Sequence, residues 1–371
     1  MKAHLLLVAC AFALLPGCGD RASRDRASAA AAHAARAEVA LAKPDFPRAI
    51  AAADLAAAYD PLEPKWRDLV IRARLTSIAV EGPAVPPDRV AELDYEAETL
   101  VERDAARAHV YKTARGTLAL SRGDDAAAEA LFREAVKDKP DWAPALAGLG
   151  QVLVREQKRD EAIAAFEAAL KADATNPVAL VNLGRLLFDA GQVDKAIETL
   201  ARAVTVTDAA ALRMDLGSAL WGRQRVAEAG EQFQKAVALE PRNGEAHRRL
   251  AEWLMANGRP DLAEAEYGNA SKLGAGPLAS FGLATVLVKK GEHAQAARLF
   301  ESVFQSDPRL VAAAYQAGVE HEQAGDTASA RKTLERYVRA AADSQAEREH
   351  VADAQARLTR LAAPDAGPAK R

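Results

Sequence analysis

The sequence predicts an all-α protein, an α-solenoid of stacked helix pairs. Three observations carry that prediction. An alanine recurs every 33 or 34 residues, at Ala128, Ala162, Ala196, Ala229, Ala263, Ala296 and Ala330. A small residue ahead of each alanine keeps the same register, at Gly116, Gly150, Gly184, Gly217, Ala251, Ala284 and Gly318. A ring or leucine follows each alanine by four residues, at Phe132, Phe166, Leu200, Phe233, Tyr267, Phe300 and Leu334. A fixed period of this length marks units that cannot bury their own apolar face and stack to do so. Sparse aromatics (5%) and abundant alanine favour close helix packing over a β-sandwich.

The chain opens on a segment that is set aside from the fold. Met1–His4 is short and basic, and Leu5–Leu15 is an apolar run of eleven. That run is too short to span a bilayer, which takes about 20 helical residues. Leu15-Pro16-Gly17-Cys18 closes it, and this stretch resembles a bacterial lipobox. The resemblance implies a lipoprotein signal peptide over 1–17, cleaved before Cys18, with Cys18 lipidated. An ordinary secretory signal with an incidental cysteine is the alternative. The only other cysteine, Cys10, lies inside the signal, so no disulfide or thiolate metal site is expected. Gly19 follows the cysteine and Asp20 comes one place later. By sorting rules carried with the resemblance, the periplasmic face of the outer membrane is the expected location.

Residues 18–29 are small, charged and without apolar periodicity, and are read as a tether. Residues 30–63 form a divergent helix pair that turns at Lys43-Pro44-Asp45 and closes at Asp60-Pro61, with Ala37, Ala49 and Ala56 at close-contact positions. Residues 64–108 are irregular. Helices are expected from about Lys65 to Ile78 and from Asp88 to Asp104, parted by a proline-rich linker over 81–87. The regular array runs from 109 to 343 in seven repeats. Glycines Gly123, Gly191, Gly258, Gly291 and Gly325 suit the left-handed residue that ends each first helix. Pro140, Pro241 and Pro308 stop second helices. A final helix over 344–363 caps the array. Ser344 with Glu347 has the spacing of a capping box, and Val351, Ala354, Leu358 and Leu361 form one apolar stripe. Residues 364–371 are read as a disordered tail.

The array resembles the tetratricopeptide repeat family. Seven repeats match it in register over 109–343, with departures at Arg115, Val303 and Tyr337 in the terminal repeats. The resemblance implies a right-handed superhelix whose first helices line a concave groove, and a scaffold that binds proteins or peptides there. The groove positions are the second, fifth, sixth, ninth, twelfth and thirteenth of each repeat. Carried over, they give Gln151, Val154 and Arg155 in the second repeat. Further on they include Asn182, Arg185, Phe188, Met214, Trp221, Arg248, Arg249, Met255, Phe281 and Tyr315. Methionine and aromatic residues suit an adaptable groove, and the arginines with Asn182 suit a peptide backbone or acidic groups. The alternative is that the rings pack between neighbouring first helices and the arginines are solvated.

Other functions have little support. The net charge of −3 with 27% charged residues shows no basic bias toward nucleic acid. Seven histidines are scattered, and no HExxH, CxxC, phosphate loop or nucleophile elbow occurs, so no catalytic residue, metal or cofactor is expected. Asp124-Asp125 are read as helix-start residues. The expectation is a membrane-anchored adaptor of a bacterial envelope system. Related proteins serve pilus assembly, exopolysaccharide export and outer-membrane assembly. The alternative of a different class is an enzyme or regulator with its site in 64–108.

Overall fold

A computed structural model describes residues 19–43, 45–81, 87–342 and 344–362. The signal peptide, Cys18 and the tail 364–371 lie outside them. Among the described residues there are nineteen α-helices, one short 3-10 turn (Ala105–Arg107) and no strand. The chain divides into two compact bodies, Met1–Leu187 and Phe188–Arg371.

In the N-terminal body, α1 (Gly19–Ala42) and α2 (Phe46–Tyr59) pair through an alanine core of Ala34, Ala37, Ala49, Ala53 and Ala56. Asp45 caps α2, its side chain accepting from the Arg48 N–H. Residues 19–29, expected as a tether, belong to α1. The physical reason lies in the same residues: apart from Asp25 and His33, residues 21–37 are all Arg, Ala and Ser, with no glycine or proline, and such a run favours helix even where no core covers it.

Helix α3 (Pro64–Glu81) sends Leu69 and Ala73 into that alanine core. It is tied to α1 by Arg72–Glu38 and to α2 by Arg74–Asp54 at 3.1 Å. Helix α4 (Pro87–Arg103) packs on α5 (Ala108–Ser121). Helix α3 also packs on α5, more extensively than on α4, and reaches α7 (Ala143–Arg155). Leu75, Ile78, Val90, Leu93 and Leu100 share one core with Tyr111 and Leu118. The departure at Arg115 follows from this neighbour, because the guanidinium pairs with Asp94 of α4 at 2.9 Å.

The rest of this body is α6 (Asp125–Asp138), α8 (Arg159–Ala172) and α9 (Pro177–Asp189) as far as Leu187. Asp124 caps α6, accepting from the Ala127 N–H at 3.1 Å. The C-terminal body runs through α10 (Val193–Val206), α11 (Ala210–Gly222), α12 (Val226–Leu239), α13 (Gly244–Ala256) and α14 (Pro260–Lys272). It continues with α15 (Pro277–Lys289), α16 (His293–Ser306), α17 (Val311–Gln323), α18 (Thr327–Ala341) and α19 (Arg348–Ala362).

The recurring residues do one job in each repeat. The ring of the second helix lies where the small residue of the first has no side chain. A Cβ added at Gly116 would stand 2.8 Å from Phe132, at Gly150 2.6 Å from Phe166, and at Gly217 2.8 Å from Phe233. The rings also serve the following repeat: Gly148 lies against Phe132 and Gly282 against Tyr267. Repeat positions that end the first helix take positive φ, from 68° at Gly258 to 79° at Gly325. Gln157 (φ 61°) and Gln224 (φ 59°) hold the same position without glycine. A residue with a Cβ pays about 1 kcal/mol there. Gln224→Gly is therefore expected to raise the urea midpoint of unfolding by an amount of that order, with unchanged helix content by circular dichroism.

The cap differs from expectation at its start. Helix α19 begins at Arg348, and Glu347 accepts from the Tyr337 hydroxyl at 2.8 Å instead of closing a capping box. The one-sided stripe is in place: Ala354 is buried, and Val351, Leu358 and Leu361 pack on the core of α16–α18. This accounts for Tyr337, whose ring fills space that a small residue would leave open beneath the cap.

Candidate protein-binding groove

The residues read as groove residues fall in both bodies, so each set is described in its own. In the N-terminal body, Asn182 donates its amide to the Val178 carbonyl one turn back at 2.8 Å, a bond within its own helix. Arg185 is exposed on α9. Arg155 is committed to structure: Nη1 donates to the Leu120 carbonyl at 3.0 Å and to Asp125 at 2.8 Å, tying α7 to the end of α5 and the start of α6. Val154 is exposed. Gln151 is half-buried and makes no hydrogen bond among the described residues.

In the C-terminal body the first helices carry the apolar set. Phe188 is 37% exposed and Leu278 is 52% exposed. Leu278 occupies the second position of its repeat, a groove position that the sequence reading passed over. Trp221 and Met255 are half-buried against the core that holds Phe233 and Leu254. Trp221 meets Phe233 edge to face at 6.2 Å, and Phe281 meets Phe300 at 5.0 Å. Met214 packs on Ala210, Ala236 and Ala246. These residues therefore present one side to the core and one outward.

Three groove residues of this body are spent within the chain. Arg248 is buried; its guanidinium lies between Glu245 (Nε to Oε2, 2.7 Å) and Glu252. The adjoining Glu245 carboxylate holds it above its ordinary value. Arg249 shares Glu245 at 2.9 Å. The pair of arginines is thus neutralised by its own helix, with no unmatched charge left for an acidic partner. Tyr315 serves the cap: its hydroxyl donates to Asp353 of α19 at 2.7 Å, and its ring lies 4.8 Å from His350. Arg357 of α19 completes the contact, bonding Asp353 at 2.5 Å and Glu322 of α17 at 2.6 Å.

That contact is pH-sensitive. Hydrogen bonds from Arg357 and from the Tyr315 hydroxyl hold the Asp353 carboxyl below its ordinary 3.8. A carboxyl depressed by folding contributes stability above its ordinary value and loses it as pH falls through the depressed one. Acidification below pH 3.8 is expected to raise hydrogen exchange in α19 ahead of the rest of the C-terminal body. Asp353→Asn should remove that pH step.

Family models described as tetratricopeptide repeat match residues 153–214, 214–280 and 281–346, together more than half of the chain. The chain belongs to the tetratricopeptide repeat family. A curated human relative, protein O-mannosyl-transferase TMTC1, is 31% identical over 133 residues, which is 36% of this chain and 15% of that protein. The chain thus spans a small part of that relative's length. Among solved structures, the APC/C hetero-tetramer Cut9–Hcn1 matches with a TM-score of 0.53 at 18% identity, covering 76% of this chain and 54% of that one. PilF of Pseudomonas aeruginosa matches with a TM-score of 0.49 at 21% identity, covering 55% and 93%. The first of these similarities supports the all-α repeat fold. As a member of the family, the chain is a repeat of helix pairs of the kind that typically serves protein–protein interaction.

Proposed function

We propose that this chain is a lipid-anchored scaffold of a bacterial envelope, holding protein partners on the first helices of its C-terminal body. The observation that carries the reading is the outward apolar set there, Phe188 and Leu278 exposed with Trp221, Met255 and Phe281 half-buried beside them on successive first helices. Apolar side chains displayed along helix faces suit the apolar anchors of a peptide or partner helix. The anchor rests on the run Leu5–Leu15 followed by Leu15-Pro16-Gly17-Cys18. Anchoring in the outer membrane, facing the periplasm, suits an adaptor in an assembly or secretion machine such as one for pili, exopolysaccharide or outer-membrane proteins.

No observation favours an enzyme or regulator seated in 64–108. The apolar residues of that segment, Leu75, Ile78, Leu93 and Leu100, are spent on a core with Tyr111. Its irregularity is thereby explained by packing.

The test is partner capture from the native host with Phe188→Ala/Leu278→Ala. Both side chains are exposed, so the fold should survive, and removing two apolar anchors at a binding surface is expected to lower capture by tenfold or more, each anchor costing about 1 kcal/mol or more. Undiminished capture by a folded double variant would move the partner off this face.

A further inference from the structure

The stretch expected as a tether is the start of α1, and this changes how the chain meets its membrane. Helix α1 begins at Gly19, the residue after Cys18, so no flexible spacer parts the proposed lipid from the fold. Consecutive Cα atoms lie about 3.8 Å apart, which holds the start of α1 at the level of the lipid headgroups. From there its 24 residues extend about 36 Å. The helix must either stand up from the bilayer or lie along it.

One side of α1 is covered and the other is not. Ala30, Ala34 and Ala37 are buried, the last two in the alanine core shared with α2 and α3. The opposite side carries Arg36 and Val39, with Lys43 one turn further at the helix end. Val39 is 58% exposed. With Ala35, Arg48 and Ala52, these residues line an open hollow of about 760 Å³. Arg48 pairs with Asp45 at 3.1 Å. The other carboxylates near the hollow, Glu38 and Asp54, pair with Arg72 and Arg74 of α3. Arg36 and Lys43 have no ion pair among the described residues. Asp25 lies on the same side three turns earlier, between Arg24 and Arg26. The uncovered face therefore ends in two unmatched cations bracketing a valine.

Charge complementarity decides what covers it. Attraction to an anionic surface falls off within about 8 Å at physiological ionic strength. On an upright α1, Val39 would stand about 30 Å from the headgroups, out of reach. Lying flat brings Arg36 and Lys43 among lipid phosphates and Val39 to the acyl boundary. We propose that the side of α1 marked by Arg36, Val39 and Lys43 lies on an anionic phospholipid surface, so that the N-terminal body is seated on the bilayer instead of hanging from it. The proposal rests on the reading of Cys18 as the anchor. The lipid supplies the affinity and this face sets the orientation, since a tethered surface meets the bilayer at high effective concentration.

The test uses the chain from Cys18 onward, which holds every described residue, with Cys18 coupled to a maleimide phospholipid in vesicles. Cys18 is the sole cysteine there. The photoreactive residue benzoylphenylalanine replaces Val39 or, as control, the exposed Lys137 of α6. Position 39 is expected to give phospholipid adducts by mass spectrometry in phosphatidylglycerol vesicles, and position 137 none. Arg36→Glu/Lys43→Glu should lower the yield at least about tenfold, since each cation near an anionic surface is worth about fivefold. Phosphatidylcholine vesicles should lower it likewise. Both residues are exposed, so circular dichroism should be unchanged. Equal yields from 39 and 137, a yield unchanged by charge reversal, or crosslinking to a second copy of the chain instead of lipid overturns the proposal. Because the anchor is supplied chemically, natural lipidation is a separate outcome. Adducts at 39 with no palmitate on the natural chain would overturn the lipoprotein reading and leave this face standing; palmitate without adducts would do the reverse.

Discussion

Phe166→Ala is expected to cost about 3–5 kcal/mol, the usual penalty for emptying a fully buried ring site. The ring is wholly buried, and it lies where Gly150 has no side chain. The neighbouring helices are held by further repeats on both sides, so they have little freedom to collapse into the void. Gly150→Val should be destabilising in the opposite way, by forcing carbon against the ring from 2.6 Å. The decisive comparison is the double variant. If the two residues share one volume, Gly150→Val in the Phe166→Ala background should recover part of the loss, a coupling of about 1 kcal/mol or more. Urea unfolding read by Trp142 fluorescence and circular dichroism measures all three. Strict additivity would mean that the ring and the glycine are not the complementary pair described here.

Cys18→Ser is expected to move the protein from the membrane fraction to the soluble periplasmic fraction. A single acyl chain holds with a binding constant of only about 10⁴ M⁻¹, whereas two or more anchor stably. Among the described residues no helix is long and apolar enough to cross a membrane; the proposed anchor rests on the lipobox-like Leu15-Pro16-Gly17-Cys18. Incorporation of labelled palmitate into the wild-type chain and its loss in the variant is the direct readout. A variant that remains in the membrane fraction, or a wild-type chain that takes up no label, would contradict the lipoprotein reading.

The repeat grammar was legible because it is local. Gly150 and Phe166 meet within one helix pair, so their spacing alone defines their contact. Left-handed glycines were legible for the same reason, since φ is a property of one residue. Gln157 and Gln224 show the limit, because residues with a Cβ take the same positive φ there. What could not be read is what covers each groove residue. Tyr315 resembles an exposed ring until Asp353, thirty-eight residues later, takes its hydroxyl. Arg248 resembles a free cation until Glu245 and Glu252 are seen to enclose it. Helix α3 had no repeat register to predict its seat on α5. Exposed apolar positions such as Leu278 could have been found by applying the second-position rule to every repeat. Charge-only reasoning also misread 19–29, where polarity looked like a tether and helix propensity decided the outcome.

The central claim is that partners lie on the first-helix face of the C-terminal body. Site-specific photocrosslinking in living cells tests it most directly, with the probe placed at Phe188, at Leu278, and at the exposed second-helix residue Gln234 as control. The account predicts discrete crosslinked partner bands from positions 188 and 278 and none from 234. Crosslinks from Gln234 alone, or equal patterns from all three, would contradict it.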